Sequence, residues 1–160
     1  MWLKPCLLFI ALLVVNLPPT TTADEPAFVT WDTLEPDKCA SIWLIKRFIA
    51  PAAPILFIAP DTSPPPGAIL FDTPDAPLRR SHNRSTYENL LTHYRLTDAR
   101  LVQIGRIMHD IEINLWVRKA LPETRAIESA LNTQLRGVEP QAAVGLCLHY
   151  FDTLYASAAK

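Results

Sequence analysis

Apolar residues follow two patterns along this chain, short runs in the first half and helical spacing in the second. Three β-prone runs stand at 27–31, 55–59 and 68–71, and we predict a strand at each. Residues 37–49, DKCASIWLIKRFI, lie between the first two and place apolar residues at helical intervals before a basic end. We predict a core helix here, capped by Asp37 and stopped by Pro51 and Pro54.

From Ser85 onward the pattern is helical. Ser85 with Glu88 three residues later is typical of a helix start, and an amphipathic stripe predicts a longer helix over 97–115. Two more helices are predicted over 121–135, ended by Gly137, and over 139–158. The sum is an α+β fold, a mostly α-helical single domain with a small sheet near the N-terminus.

The first 23 residues differ from the rest. Lys4, an apolar run over 6–17 and a small-residue end at Ala23 are typical of a cleaved secretory signal peptide, and the apolar run is short for an uncleaved anchor. We expect residues 1–23 to be a signal peptide and 24–160 one exported domain, periplasmic or secreted. No stable membrane insertion is expected after cleavage.

Charge and composition narrow the function classes. Removing residues 1–23 leaves 14 basic and 16 acidic residues, with the basic ones scattered, which argues against nucleic acid as a partner. The chain has no Gly-rich phosphate loop, no G-x-S-x-G, no H-E-x-x-H and no C-x-x-C. Cys39 and Cys147 could form a bridge, but their apolar helical neighbours favour two small buried side chains without one.

Histidines beside carboxylates are the first candidates for chemistry. His109 precedes Glu112 by three residues and His149 precedes Asp152 by three, so each pair shares a helix face. Two such turns could face each other across a metal ion. A solvated helix face is the alternative for His149 and its partner.

A second candidate lies in the loop before the helix that starts at Ser85. His82 there stands among Arg79, Arg80 and Arg84, which could form an anion or metal pocket above a helix N-terminus. An ordinary loop histidine is the alternative.

Several motifs together resemble a known family. They are FVTWDTLEPDKCASIWLIKRFI at 28–49, FDTP at 71–74, SHNRSTYENLL at 81–91, LTDARLVQIGRIMHDIEIN at 96–114 and FDTLYA at 151–156. Over roughly residues 27–157 the chain resembles the chromate-resistance protein family, specifically the C-terminal domain of ChrB-like proteins. The order of His82, His109, Asp110 and Asp152 also resembles the metal ligands of HD-type phosphohydrolases, but the spacing of that family is not matched.

The family resemblance implies a role in chromate resistance or its sensing. Two departures bear on thiol chemistry, because Ser41 and Ser85 stand where relatives often carry cysteine. Carried over by position, the residues that match the family pattern, and that the resemblance makes candidate site residues, are Asp37, Trp43, Arg47, Asp72, His82, Thr86, Asp110 and Asp152.

These residues support three functional hypotheses. The first is a module that binds or senses a small oxyanion or a metal ion, and the others are a metal-dependent hydrolase or redox enzyme using His82, His109 and Asp110, and a structural or interaction domain. The sequence does not identify a cofactor, and a divalent metal ion is the candidate. The expected ligand-binding residues are Arg47, Asp72, His82, Arg84 and Thr86, and the expected metal ligands are His82, Asp110 and Asp152, with His109 ranked after them.

We also predict that the expected metal ligands converge. Each lies beside an apolar stripe, where a charged group is costly unless it is paired. His82, Asp110 and Asp152 should therefore meet in one pocket with Arg47 at its edge.

Overall fold

The computed structural model describes residues 25–114 and 118–158 of the 160-residue chain. The predicted signal peptide, residues 1–23, lies outside the described residues, as does Leu115 at the predicted end of the longer helix. Within the described ranges, no helix has both the length and the apolar character needed to cross a bilayer.

The sheet has three parallel strands, and all three were predicted. Strand β1 (Phe28–Trp31) lies in the centre, between β2 (Ile55–Ile58) and β3 (Ile69–Leu70). After β2 the chain crosses to the opposite side of β1. The carboxyl ends of the strands meet at one edge, and the change of side between β2 and β3 makes that edge a position where α/β sheets bind ligands.

Within the described residues, five helices complete the α+β fold, as predicted. They are α1 (Pro36–Leu44), α2 (Thr86–His93), α3 (Ala99–Glu112), α4 (Thr124–Leu135) and α5 (Pro140–Ser157). A π-helical turn, Ile45–Ile49, extends α1 without a break. The capping box at Ser85 and Glu88 is confirmed, and Gly137 has the left-handed backbone (φ 72°) expected just after α4.

Helix α1 is the core helix, because every one of its nine residues is buried. Trp43 is fully buried, and its ring packs against Phe48, Phe151 and Tyr155 at centroid distances of 5.2, 5.7 and 5.6 Å. The prediction that Asp37 caps the helix is wrong. The helix begins at Pro36, which suits a first helical position, so Asp37 lies inside the first turn.

A disulfide joins Cys39 in α1 to Cys147 in α5 across 108 residues of sequence. The interpretation of both cysteines as unpaired buried side chains is therefore wrong. Each is buried as expected, but α1 and α5 pack side by side and bring the two sulfur atoms together. Spacing along one chain could not show which helices would be neighbours.

Candidate metal centre

Three carboxylates converge at the carboxyl edge of the sheet. Asp37, Asp72 and Glu112 each present an oxygen, and the three oxygens lie within 4.8 Å of one another. Asp37 and Glu112 are buried and Asp72 is partly buried. Buried like charges this close are unfavourable unless protons, cations or hydrogen bonds compensate them.

Each carboxylate comes from a different part of the fold. Asp37 stands in the first turn of α1, directly after β1, and Glu112 is the last residue of α3. Asp72 follows β3 with a left-handed backbone (φ 52°), a conformation that aspartate tolerates better than most residues. Asp37 and Asp72 thus lie close together because they follow neighbouring strands, β1 and β3, at the same edge of the sheet.

Thr86, the first residue of α2, links two of the carboxylates. Its hydroxyl donates to Asp72 Oδ1 at 2.7 Å, and its backbone N–H donates to Glu112 Oε2 at 2.9 Å. The same hydroxyl lies 3.3 Å from Glu112 Oε1. Glu112 therefore also accepts from the N-terminus of α2, where the helix dipole favours an acidic group.

Lys38 is the cation closest to the cluster among the described ion pairs. Its Nζ lies 3.6 Å from Asp72 Oδ2 and donates to Trp31 O and Thr33 Oγ1, each at 3.2 Å. The side chain is 3% exposed. One buried ammonium beside three carboxyl groups leaves the cluster negative when all three are ionised.

This environment raises the pKa of all three acids. Burial, and then the charges of Asp72 and Glu35, raise the pKa of Asp37 to about 7. Burial, and then the charge of Asp37, raise the pKa of Glu112 to about 8. The pKa of Asp72 is also raised by burial, against the opposing charge of Lys38. Near neutral pH, the cluster therefore holds protons that a cation could displace.

The carboxylates open into a cavity of about 600 Å³. Arg79, Arg80 and Trp31 line it together with the acids and Lys38. Thr73 lines it too, and its buried hydroxyl has no hydrogen-bond partner among the described residues. The three carboxylates are a set of oxygen donors that fits a hard divalent cation such as Mg²⁺ or Mn²⁺.

Arg47 and Asp152, both predicted site residues, form a structural ion pair. Arg47 donates to both carboxylate oxygens of Asp152, through Nε at 3.0 Å and Nη2 at 2.7 Å. The indole N–H of Trp43 donates to Asp152 Oδ1 at 2.9 Å. The hydrogen bond from Arg47 lowers the pKa of Asp152, so this carboxylate is already occupied.

Asp110 accepts hydrogen bonds from the backbone that precedes α4. Its carboxylate accepts from the backbone N–H groups of Ala120 and Leu121 at 2.9 and 3.0 Å and from the amide of Asn114 at 2.6 Å. Burial opposes ionisation, but these hydrogen bonds lower the pKa of Asp110 well below its usual range. It orders a loop, and these contacts do not involve the cluster.

The histidines lie elsewhere. His82 is exposed in the loop before α2, and His109 Nδ1 lies 2.9 Å from Glu88 Oε2, the carboxylate of the capping box. The structure does not gather His82, Asp110 and Asp152 into one site. Among the described residues, the group of three or more acidic or imidazole side chains close enough to share an ion is Asp37, Asp72 and Glu112.

Two of the predicted ligand-binding residues, Asp72 and Thr86, do belong to this cluster, whereas Arg47 and Arg84 do not line its cavity. The sequence indicated Glu112 only as a neighbour of His109. It indicated Asp37 as a helix cap and, by family match, as a candidate site residue, but not as a metal ligand. A signal for both existed, because Glu112 lies four residues after buried Met108 and Asp37 three before buried Ala40. An acid on the apolar stripe of a helix is costly without a partner and therefore points to a site.

Comparison with known proteins shows which family the chain belongs to. The profile of the family described as ChrB, C-terminal domain, matches residues 28–158, and the chain belongs to that family. Protein ChrB of Cupriavidus metallidurans (strain CH34) is similar to it, with 32% identity over 78 residues. The similar segment covers 48% of this chain and 24% of that protein. No solved structure matches the chain significantly.

Proposed function

We propose that this ChrB-type domain binds a divalent metal ion through Asp37, Asp72 and Glu112. The observation that supports it is the approach of three largely buried carboxylate oxygens to within 4.8 Å. Carboxylate oxygens suit Mg²⁺, Mn²⁺ or Ca²⁺. The position of the cluster at the carboxyl edge of a parallel sheet is further support.

Asp72→Asn provides the sharpest test. Asparagine keeps the size of aspartate, accepts the hydrogen bond from Thr86 and tolerates the left-handed backbone, so it removes a charge without disturbing the fold. We expect calorimetric titration with Mn²⁺ to show about one ion per chain, and the variant to bind at least about tenfold more weakly, roughly 1.4 kcal/mol.

Asp75→Asn is the matched control, because Asp75 is an exposed acid three residues away. It should bind Mn²⁺ like the unmodified protein. Elemental analysis of protein purified without chelator provides a second readout. If Mn²⁺ and Mg²⁺ do not bind at millimolar concentration, or if the two variants behave alike, the proposed site does not exist.

An oxyanion is the second candidate ligand, and the arginines of the same cavity favour it. Arg79 Nη1 donates to Ala76 O at 3.0 Å, while Arg80 is exposed at the cavity wall. Arg donors suit tetrahedral oxyanions, and chromate carries two negative charges that need local positive charge. We therefore propose that chromate binds beside the cation, against Arg80, in keeping with a chromate-resistance family.

Chromate titration of the Mn²⁺-loaded protein tests this second step. Arg80→Gln should weaken chromate binding several-fold and leave Mn²⁺ binding unchanged, whereas Arg136→Gln, a charge loss outside the cavity, should change neither. Equal chromate binding by both variants would reject the oxyanion at this cavity while leaving the metal proposal intact.

We further propose that the protein is exported and that its partners are small ions, without nucleic acid. The leader-like pattern at 1–23 and the Cys39–Cys147 bridge support export, since disulfides persist in oxidising compartments. The intact mass of protein recovered from an exporting host should lack residues 1–23 and rise by the mass of two hydrogens on reduction. A mass that includes Met1 would contradict it.

A further inference from the structure

A second cavity, of about 580 Å³, lies between α2 and α3 on the surface. Arg84, Arg95 and Arg106 surround it, and we call it the arginine groove. Leu91, Leu96 and Val102 contribute its apolar part, and Val102 is one of two large apolar side chains that are well exposed among the described residues. The groove thus combines three guanidinium groups with an apolar surface.

The charges of the arginine groove are not balanced within the described part of the chain. Arg84 donates to Thr92 Oγ1 at 3.4 Å, and the ion pairs of the described residues use other cations. Glu88 also lines the groove, but its Oε2 accepts from the backbone N–H of Ser85 and lies against His109. Three positive groups therefore face one carboxylate that is already engaged.

Arg95 occupies a backbone position that normally favours glycine. It follows α2 with φ 55°, while Leu96 N–H donates to Leu91 O at 2.9 Å and Arg95 N–H to Thr92 O at 3.3 Å. This is the glycine position of a helix C-terminus, where a side chain strains the backbone. A residue that costs stability and lines a charged cavity is better explained by its guanidinium than by the fold.

We infer that the arginine groove is a binding site for a phosphate ester that carries an apolar group. The guanidinium forks suit the phosphate oxygens, and the apolar group would lie on Leu91, Leu96 and Val102. A phosphate ester can come from a soluble metabolite or from an anionic lipid headgroup. The inference does not depend on the carboxylate cluster.

Arg95→Gly separates binding from folding. Because glycine relieves the left-handed backbone, the variant should melt at a higher temperature than the unmodified protein, yet bind phenyl phosphate at least about fivefold more weakly in calorimetric or NMR titrations. Arg106→Gln should weaken binding to a similar degree. Arg136→Ala, which removes a charge elsewhere, and Asp72→Asn should both leave phenyl phosphate binding unchanged.

Inorganic phosphate should bind more weakly than phenyl phosphate, since it lacks the apolar group. Co-sedimentation with vesicles of phosphatidylcholine and phosphatidic acid distinguishes a soluble ester from a lipid headgroup. If the unmodified protein binds the vesicles but not phenyl phosphate, and Arg95→Gly does not bind the vesicles, the ligand is a lipid headgroup. The inference is overturned if the unmodified protein binds neither phenyl phosphate nor the vesicles. It is also overturned if Arg95→Gly and Arg106→Gln both bind the probe as tightly as the unmodified protein does.

Discussion

Asp152 shows how a distinctive residue can be structural. The indole N–H of Trp43 is buried in the core and needs an acceptor, since an unpaired buried donor is costly. Asp152 provides it on one side and meets solvent-exposed Arg47 on the other. The family motif at 151–155 therefore holds α5 against the end of α1 through Asp152. The Asp152 carboxylate is engaged by these hydrogen bonds and is not available as a metal ligand.

Two substitutions at Trp43 divide its contribution to stability. Trp43→Phe removes the hydrogen bond but keeps most of the apolar contact, and should lower the free energy of unfolding by about 1–2 kcal/mol. Trp43→Ala also leaves a cavity and should cost roughly 3–5 kcal/mol. Urea denaturation measures both.

Arg47→Gln is the control, because it breaks only the exposed ion pair, and it should cost less than about 1 kcal/mol. A denaturation midpoint that is unchanged in Trp43→Ala would contradict the burial of the Trp43 ring.

At the scale of elements, the strands and helices were predictable because their signals are local. These signals are the spacing of apolar residues, the stop at Pro51 and Pro54, the capping box at Ser85 and the left-handed Gly137. Each acts within a few residues of sequence, and the structure confirms the helix or helix end that each one predicted. The contact between α1 and α5 depends on packing over more than 100 residues, which no periodicity encodes. This is why the Cys39–Cys147 bridge was not expected.

The bridge should contribute strongly to stability because it closes a long loop. In the chain-entropy description, a loop of about 100 residues is worth about 4.7 kcal/mol, and we expect the double variant Cys39→Ser, Cys147→Ser to lose about 3–5 kcal/mol in urea denaturation. Unmodified protein under reducing conditions should lose a similar amount. If reduction leaves the midpoint in place, α1 and α5 are held together by packing alone.

At the scale of the whole molecule, the carboxylate cluster joins segments that lie 35 and 40 residues apart in sequence. Asp72 and Thr86 were among the predicted site residues because family motifs contain them. Their meeting with Asp37 and Glu112 follows from the order of the parallel strands and from α3 ending beside the start of α2. Such convergence is a property of the assembled fold. The local sequence around each residue does not show it, and Asp110 and Asp152 were therefore predicted as metal ligands in place of Asp37, Asp72 and Glu112.

The cluster makes the stability of the metal-free protein depend on pH. The pKa of Asp37 is raised to about 7 and that of Glu112 to about 8, whereas acids of the unfolded chain titrate near pH 4. The folded protein therefore retains protons that the unfolded chain releases. The stabilisation is complete below about pH 4 and is lost as the pH rises through 7 towards 8.

Metal-free protein should accordingly unfold at lower urea concentration at pH 8 than at pH 5.5. Asp72→Asn removes one of the repelling charges and should reduce this difference, while Asp75→Asn should not. A cation competes with the protons, so Mn²⁺ at about a hundredfold excess over its dissociation constant should restore roughly 2.7 kcal/mol at pH 8 and much less at pH 5.5. Equal stability of the metal-free protein and Asp72→Asn at both pH values would show that the three acids do not interact as their distances require.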